Sequence, residues 1–206
     1  MMRCFLLTVL DIYAIYKLRG DFMKFKFDIN KTDKDFIDFN VFFNTKAPIG
    51  KKLNGILRIC IVVIMLFFFF VNLIDDGFSL KNLIVSTIMY LIPLIVIEII
   101  IQPIFVLLLK LFCKSMIKGK GKKPYTVSEV LEFYDDYIIE TQEYVKSEIQ
   151  YPIFESVYVV EGKAVYLNVS KNQIEIIPDH CFTSPEQKKE FVEFIKTKCS
   201  DVVYYK

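Results

Sequence analysis

Tryptophan is absent from this chain of 206 residues, and histidine occurs once, as His180. One imidazole cannot assemble the three or four ligands of a zinc centre. Cysteine is sparse: Cys4, Cys60, Cys113, Cys181 and Cys199 form no C-x-x-C pair. They read as free thiols in a reducing compartment, with neither a disulfide framework nor a metal knuckle. No Walker loop, G-x-S-x-G elbow or H-E-x-x-H helix occurs, and no repeat of 20–50 residues is evident. The sequence therefore offers no catalytic class and no cofactor.

His180 stands in Pro178-Asp179-His180-Cys181-Phe182, beside a thiol and a carboxylate. A thiolate nucleophile needs a nearby base. Neighbours on an extended segment point apart, however, and no third, orienting group is in sight. No enzyme is expected from this stretch.

What the chain has in plenty is apolar length. Residues 55–74 contain Phe67-Phe68-Phe69-Phe70, and residues 59–71 carry no charge. A second run starts near Leu83 and reaches Leu109, interrupted by Pro93, Glu98, Gln102 and Pro103. A transmembrane helix needs about 20 mostly apolar residues. Both runs meet that length, and neither keeps the polar face of a soluble helix. Two spans, at about 55–74 and 83–105, are expected within a hairpin of residues 53–117. The second run is longer than one crossing requires, so it must tilt, kink or emerge from the bilayer.

The flanks orient the hairpin. Lys46, Lys51, Lys52 and Arg58 precede the first run or open it; Lys110, Lys114, Lys118, Lys120, Lys122 and Lys123 follow the second. Basic flanks stay cytoplasmic, so both termini are expected on the cytoplasmic side of a plasma membrane. Lys118, Lys120, Lys122 and Lys123 lie in the linker 118–124 and are candidates for contact with anionic headgroups. No basic face or aromatic platform continues beyond them, so nucleic acid is not an expected partner.

Two antiparallel helices joined through residues 74–83 bring residues whose numbers sum to about 157 to equal depth, since each residue advances about 1.5 Å. That rule sets Arg58 beside Glu98, and Asn72 beside Ser86. An ion pair between Arg58 and Glu98 is expected, because an unpaired charge at that depth costs a few kcal/mol.

Before the hairpin, residues 1–22 fit poorly. Arg19-Gly20-Asp21 is what a purine-rich ribosome-binding site would encode just ahead of Met23, so translation is expected to begin there and 1–22 to be an extension. Residues 23–52 then form a cytosolic segment. Phe25 and Phe27 alternate with Lys24 and Lys26 as in a short strand. Thr32 and Asp35 suit a capping box, and Phe36, Phe39 and Phe43 fall on one helical face, expected to pack on the C-terminal domain.

After the linker the period changes to two. Strands are expected at 126–134, 138–141, 144–151, 156–160, 163–169 and 173–177, with Glu161-Gly162 as a tight turn. Ile139, Thr141, Val145, Ile149 and Tyr151 share a parity; Val165, Leu167 and Val169 face one way. Ser184-Pro185-Glu186-Gln187 opens a helix, with Ser184 as cap and Gln187 closing the box. Phe191, Phe194, Ile195 and Lys198 form one face of it.

Two spans followed by this domain resemble the YcxB-like bacterial membrane-protein family. The residues that carry the resemblance are Ile149-Gln150-Tyr151-Pro152-Ile153, Val157-Tyr158-Val159-Val160-Glu161-Gly162, Ala164-Val165-Tyr166-Leu167, Ile176-Ile177-Pro178, Phe182 and the final helix. The family often has tryptophan where this chain has Tyr151. The resemblance implies a domain at 125–206 of pleckstrin-homology (PH) type, a curved sheet capped by a C-terminal helix, and it implies no chemistry. The expected fold is thus an α+β membrane protein: a transmembrane hairpin, then a small antiparallel PH-like β domain closed by a helix.

Two functions fit. One is a membrane-anchored module that presents its domain to a protein or lipid partner. The other is an oligomeric membrane-active protein, a small channel or transporter accessory, using Glu98 and Gln102.

Overall fold

The computed structural model describes residues 22–75, 77–119, 123–143, 145–170 and 173–206. The extension expected at 1–22 lies outside them apart from Phe22, as do Lys120 and Lys122. The chain divides into two compact units, one of residues 22–35 and 125–206, the other of residues 36–124.

The first unit is two four-stranded sheets and a helix. Strands β1 (Phe25–Asn30), β2 (Ser128–Phe133), β3 (Tyr137–Gln142) and β4 (Val145–Gln150) form one sheet in that order, all antiparallel. A 3₁₀ turn at Tyr151–Ile153, built on Pro152, leads into the second sheet. There β5 (Ser156–Val160), β6 (Ala164–Ser170) and β7 (Gln173–Pro178) are antiparallel neighbours, and β8 (Val202–Tyr205) runs parallel to β5 at the edge.

All six strands expected after the linker are present, and two features correct the expectation. The segment 125–206 does not hold the sheet alone, because β1 pairs with β2 from Phe25↔Phe133 to Asn30↔Ser128. The domain is also not wholly antiparallel: the chain continues past its helix into β8.

Between the sheets lies one apolar core. Phe27 and Ile29 of β1, Leu131 and Phe133 of β2, Val165 and Leu167 of β6 and Ile177 of β7 are all essentially inaccessible. Alternation places them: side chains two apart on a strand share a face. On β3 the register decides which parity faces the core. Ile138 enters the core opposite Ile149, so the inward set is even-numbered there, and Ile139 and Thr141 face the other way. An antiparallel pair whose partner numbers sum to an odd value always changes parity between strands.

The β5–β6 turn works through Gly162, whose φ of +69° belongs to the left-handed region that glycine enters without a steric cost. The helix Pro185–Lys196 caps the core with Phe191, Val192 and Ile195. Ser184 Oγ accepts the Gln187 amide at 3.2 Å, and Pro185 occupies the first turn, as expected. The box closes one residue earlier than expected, since Gln187 Oε1 accepts from the Thr183 amide at 2.7 Å.

The second unit is helical. Helix α1 (Asp33–Thr45) begins at the expected reciprocal cap: the Thr32 amide donates to Asp35 Oδ2 at 2.8 Å and the Asp35 amide to Thr32 Oγ1 at 3.2 Å. Its fully buried aromatic is Phe42, with Phe36, Phe39 and Phe43 half-buried. Helix α2 (Pro48–Asp75) starts at Pro48 itself, earlier than the span expected at 55, because proline at the first helical position lacks only an amide that has no partner there anyway. A Cβ on Gly50 would stand 2.2 Å from the Phe43 carbonyl oxygen, so this corner requires glycine.

Helix α3 (Leu80–Ser86), a π-helical turn (Thr87–Leu91) and α4 (Ile92–Lys118) form one continuous helical segment. The wide turn falls just before Pro93, which has no amide and whose ring would collide with the carbonyl four residues back in a regular α-helix. Pro103 lies inside α4, which runs to Lys118, well past the expected end at 105. Both segments, Pro48–Asp75 and Leu80–Lys118, are long and apolar enough to cross a membrane. The remaining helix, Pro185–Lys196, is α5.

Candidate functional site

In the helical unit, the polar residues of the two long segments meet at two levels. Arg58 Nη1 lies 3.7 Å from Glu98 Oε2, and Arg58 Nη2 lies 3.4 Å from Gln102 Oε1. Towards the other end, Ser86 Oγ donates to Asn72 Oδ1 at 3.2 Å, and Asn72 Nδ2 donates to the Tyr90 hydroxyl at 3.4 Å. Ser86 is buried between helices that are otherwise apolar. Glu98 Oε1 is buried and has no hydrogen-bond partner among the described residues. Lys118 ends α4 and is exposed; Lys123 is exposed too.

The β unit carries a group that was not anticipated. Glu129 on β2, Glu140 on β3 and Glu175 on β7 are all buried, with a carboxylate oxygen of each within 4.8 Å of the others. Lys31, just past β1, places Nζ 2.6 Å from Glu129 Oε1. Gln142 Nε2 donates to Glu140 Oε1, and Gln173 Nε2 donates to Glu175 Oε1 at 3.1 Å. Neither Glu129 Oε1 nor Oε2 has a hydrogen-bond partner among the described residues, so the contact with Lys31 is an ion pair.

Burial pushes the Glu175 carboxyl up to about 7, with Glu140 and Glu129 adding to the shift and Lys31 and Gln173 opposing it. Burial raises Glu129 too, more than the Lys31 ammonium lowers it. The physical cause is the same for both: a carboxylate loses its hydration and gains like-charged neighbours.

Parity was the signal that could have found the cluster. Glu129 shares the inward face of β2 with Leu131 and Phe133, and Glu175 shares that of β7 with Ile177. Charged residues at inward positions of otherwise apolar strands are rare unless paired. On β3 alternation alone does not say which face is inward, so Glu140 does not stand out there.

The stretch around His180 is a 3₁₀ turn, Asp179–Cys181. His180 Nε2 lies 3.4 Å from the Asn30 carbonyl oxygen. Asp179 takes Lys188 Nζ at 2.6 Å rather than an imidazole. Burial raises the Cys181 thiol, with Asp35 and Glu129 contributing, which works against a thiolate.

A groove of about 340 Å³ runs between α5 and β8, with Val159, Val192, Tyr204 and Tyr205 in its lining and Lys188 and Lys189 beside them. Tyr151, in the core, donates its hydroxyl to the Tyr134 carbonyl at 2.7 Å, and burial, helped by Asp135 and Asp136, holds that phenol protonated.

Residues 133–195 match the family model described as YcxB-like protein. That span takes in Glu140 and Glu175 and ends at Ile195 of α5, leaving Lys31 and Glu129 outside it. No curated protein and no solved structure matches the chain.

Proposed function

We propose that the chain is a membrane-anchored protein that presents a cytosolic, PH-like module to a protein or lipid partner. The observation that carries this reading is the pairing of β1 with β2. The two apolar segments lie between these strands in the chain. A chain that leaves a sheet, enters a bilayer and returns to the neighbouring strand must cross an even number of times. In this reading two crossings leave both feet of the hairpin on the domain's side, and the lysines at those feet support a cytoplasmic location for that side.

The PH-like part rests on topology. Strands β1 to β4 follow one another in one sheet, β5 to β7 in the next, and a helix comes directly after β7. The match of residues 133–195 to the YcxB-like family supports the same fold. In this reading Lys118, Lys120, Lys122 and Lys123 touch anionic headgroups, and the domain binds without chemistry or cofactor. Arg58 already engages Glu98 and Gln102 within one hairpin. Those groups are therefore used inside a single chain, which favours the module over the oligomeric channel.

The test is protease access in membrane vesicles of both orientations, followed by crosslinking and pull-down in the native membrane. Digestion of residues 125–206 in inverted vesicles alone is the expected result. Digestion in right-side-out vesicles alone, or recovery of the chain in the soluble fraction, overturns the reading.

A further inference from the structure

Three carboxylates and one ammonium share a buried space between the two sheets. Glu129, Glu140 and Glu175 are 2%, 5% and 5% exposed. With all four groups ionised, Lys31 leaves two negative charges uncompensated. Burying unpaired charge is costly, so a site of this kind is held neutral by protons or by a cation. The deficit equals the charge of one divalent ion.

The bonding inside the cluster leaves room for such an ion. Gln142 donates to Glu140 Oε1 and Gln173 to Glu175 Oε1, while Lys31 Nζ stands 2.6 Å from Glu129 Oε1 as an ion pair and neither Glu129 oxygen accepts a hydrogen bond among the described residues. Glu129 Oε2 is the independent sign of a missing partner. It is buried, belongs to a side chain only 1% exposed, and accepts no hydrogen bond among the described residues. A buried acceptor left without a donor is uncommon in native proteins.

We propose that Glu129, Glu140 and Glu175 bind one hard divalent cation, with Lys31 as the fixed counter-charge. The donor set is all oxygen, which suits calcium, magnesium or manganese and gives a thiolate-seeking metal no ligand. A carboxylate oxygen of each glutamate lies within 4.8 Å of the other two, a separation that one ion bridges at calcium–oxygen distances of about 2.3–2.6 Å, and calcium is the probe for the site. The ligands come from β2, β3 and β7 and so from both sheets. The ion therefore ties the two layers together at the end of the core where Lys31 enters.

The full chain in detergent, stripped with a chelator and dialysed, is titrated with calcium chloride by calorimetry and melted with and without calcium. One site per chain and a melting point higher by several degrees are expected. Glu140→Gln and Glu175→Gln keep the shape of the side chain and remove its charge, and each should weaken calcium binding at least tenfold. Glu132→Gln, on the outward face of β2, should leave binding unchanged. Lys31→Met guards against variants that fail to fold. Without its ammonium the cluster is more negative, so the stripped protein should melt lower and gain more from calcium than the parent does. Absence of binding heat and of any melting shift in both the parent and Lys31→Met overturns the proposal. Equal calcium binding by the parent, Glu140→Gln and Glu175→Gln overturns it as well.

Discussion

Phe27 and Phe191 meet edge to face, with ring centroids 4.9 Å apart and planes at 80°. Phe27 precedes both long apolar segments in the chain and Phe191 follows them. Phe133 joins the pair from β2, 4.9 Å from Phe191. Three rings from three separate stretches thus form the centre of the β unit. Each is almost wholly inaccessible, and edge-to-face aromatic contacts add about 0.5–1.5 kcal/mol beyond the area they bury.

A fragment of residues 124–206 should accordingly not fold by itself, although it carries seven strands and the helix. It lacks Phe27 and Ile29, and removing a buried aromatic alone costs about 3–5 kcal/mol. Joining residues 22–31 to residue 125 through a short glycine-serine linker should restore a cooperative melt. Circular dichroism of the two fragments decides it; equal, cooperative unfolding of both would refute the assignment of β1 to this core.

Charge reversal tests the hairpin. Arg58→Ala or Glu98→Ala alone should lower accumulation of the chain in membranes several-fold, because each leaves a charge unpaired at a cost of a few kcal/mol. The exchange Arg58→Glu with Glu98→Arg should recover part of the loss. Accumulation that is additive across the two sites would show that the 3.7 Å contact carries no coupling.

Gly50→Ala should open the corner between α1 and α2, since the new methyl would overlap the Phe43 carbonyl and neither backbone can yield locally. Gly55, five residues on, has nothing within 4 Å of a Cβ and serves as the control. There alanine should be neutral or stabilise by up to about 1 kcal/mol, as expected in a helix interior. Limited proteolysis near residues 45–47 reads the difference.

Stability of the chelated protein should fall as pH rises from about 4.5 to about 7. The Glu175 carboxyl has a folded value of about 7 against 4.5 when unfolded, so between them the native state holds more protons. Stabilisation by that proton is complete below the unfolded value and gone above the folded one. The full swing is about 3 kcal/mol at most, at 1.36 kcal/mol per unit. Glu175→Gln should flatten the profile in urea melts across that range; an unchanged profile refutes the assignment.

In a fragment that joins residues 22–31 to residue 117 through a glycine-serine linker and runs to 206, replacing Lys118, Lys120, Lys122 and Lys123 with glutamine should weaken association with acidic vesicles, less so as salt rises. Each lysine near such a surface contributes about 1 kcal/mol. Vesicle binding that persists unchanged at high salt would assign the lysines to topology alone.

The legible part of this fold was the part written in short-range periodicity. Strands β2 to β7, the Gly162 turn, the two capped helix starts and the two apolar segments each rest on residues within a few positions of one another. Pairing partners chosen across long distances were not legible. Nothing around Phe25 says that its neighbour is Phe133, and nothing in Val202-Val203-Tyr204-Tyr205 says that it runs parallel to β5. The carboxylate cluster failed to show for a related reason. Each glutamate sits among ordinary strand residues, and only the register of three strands brings them together.

The β1–β2 ladder also sets an order of events at the ribosome. Strand β1 is made first, and Ser128, the partner of Asn30, is made only after both apolar segments. At the usual pace of roughly 5–20 residues per second, the wait is about 5–20 s. Through that interval β1 lacks the strand it pairs with in the fold. The two lysines that alternate with its phenylalanines, Lys24 and Lys26, keep the waiting strand from pairing with its own kind. Once paired, they meet Asp135 at 3.3 Å and Glu132 at 3.4 Å. Completion of the β unit therefore waits on the two apolar segments, since β2 cannot pair with β1 until the segments between them have been made.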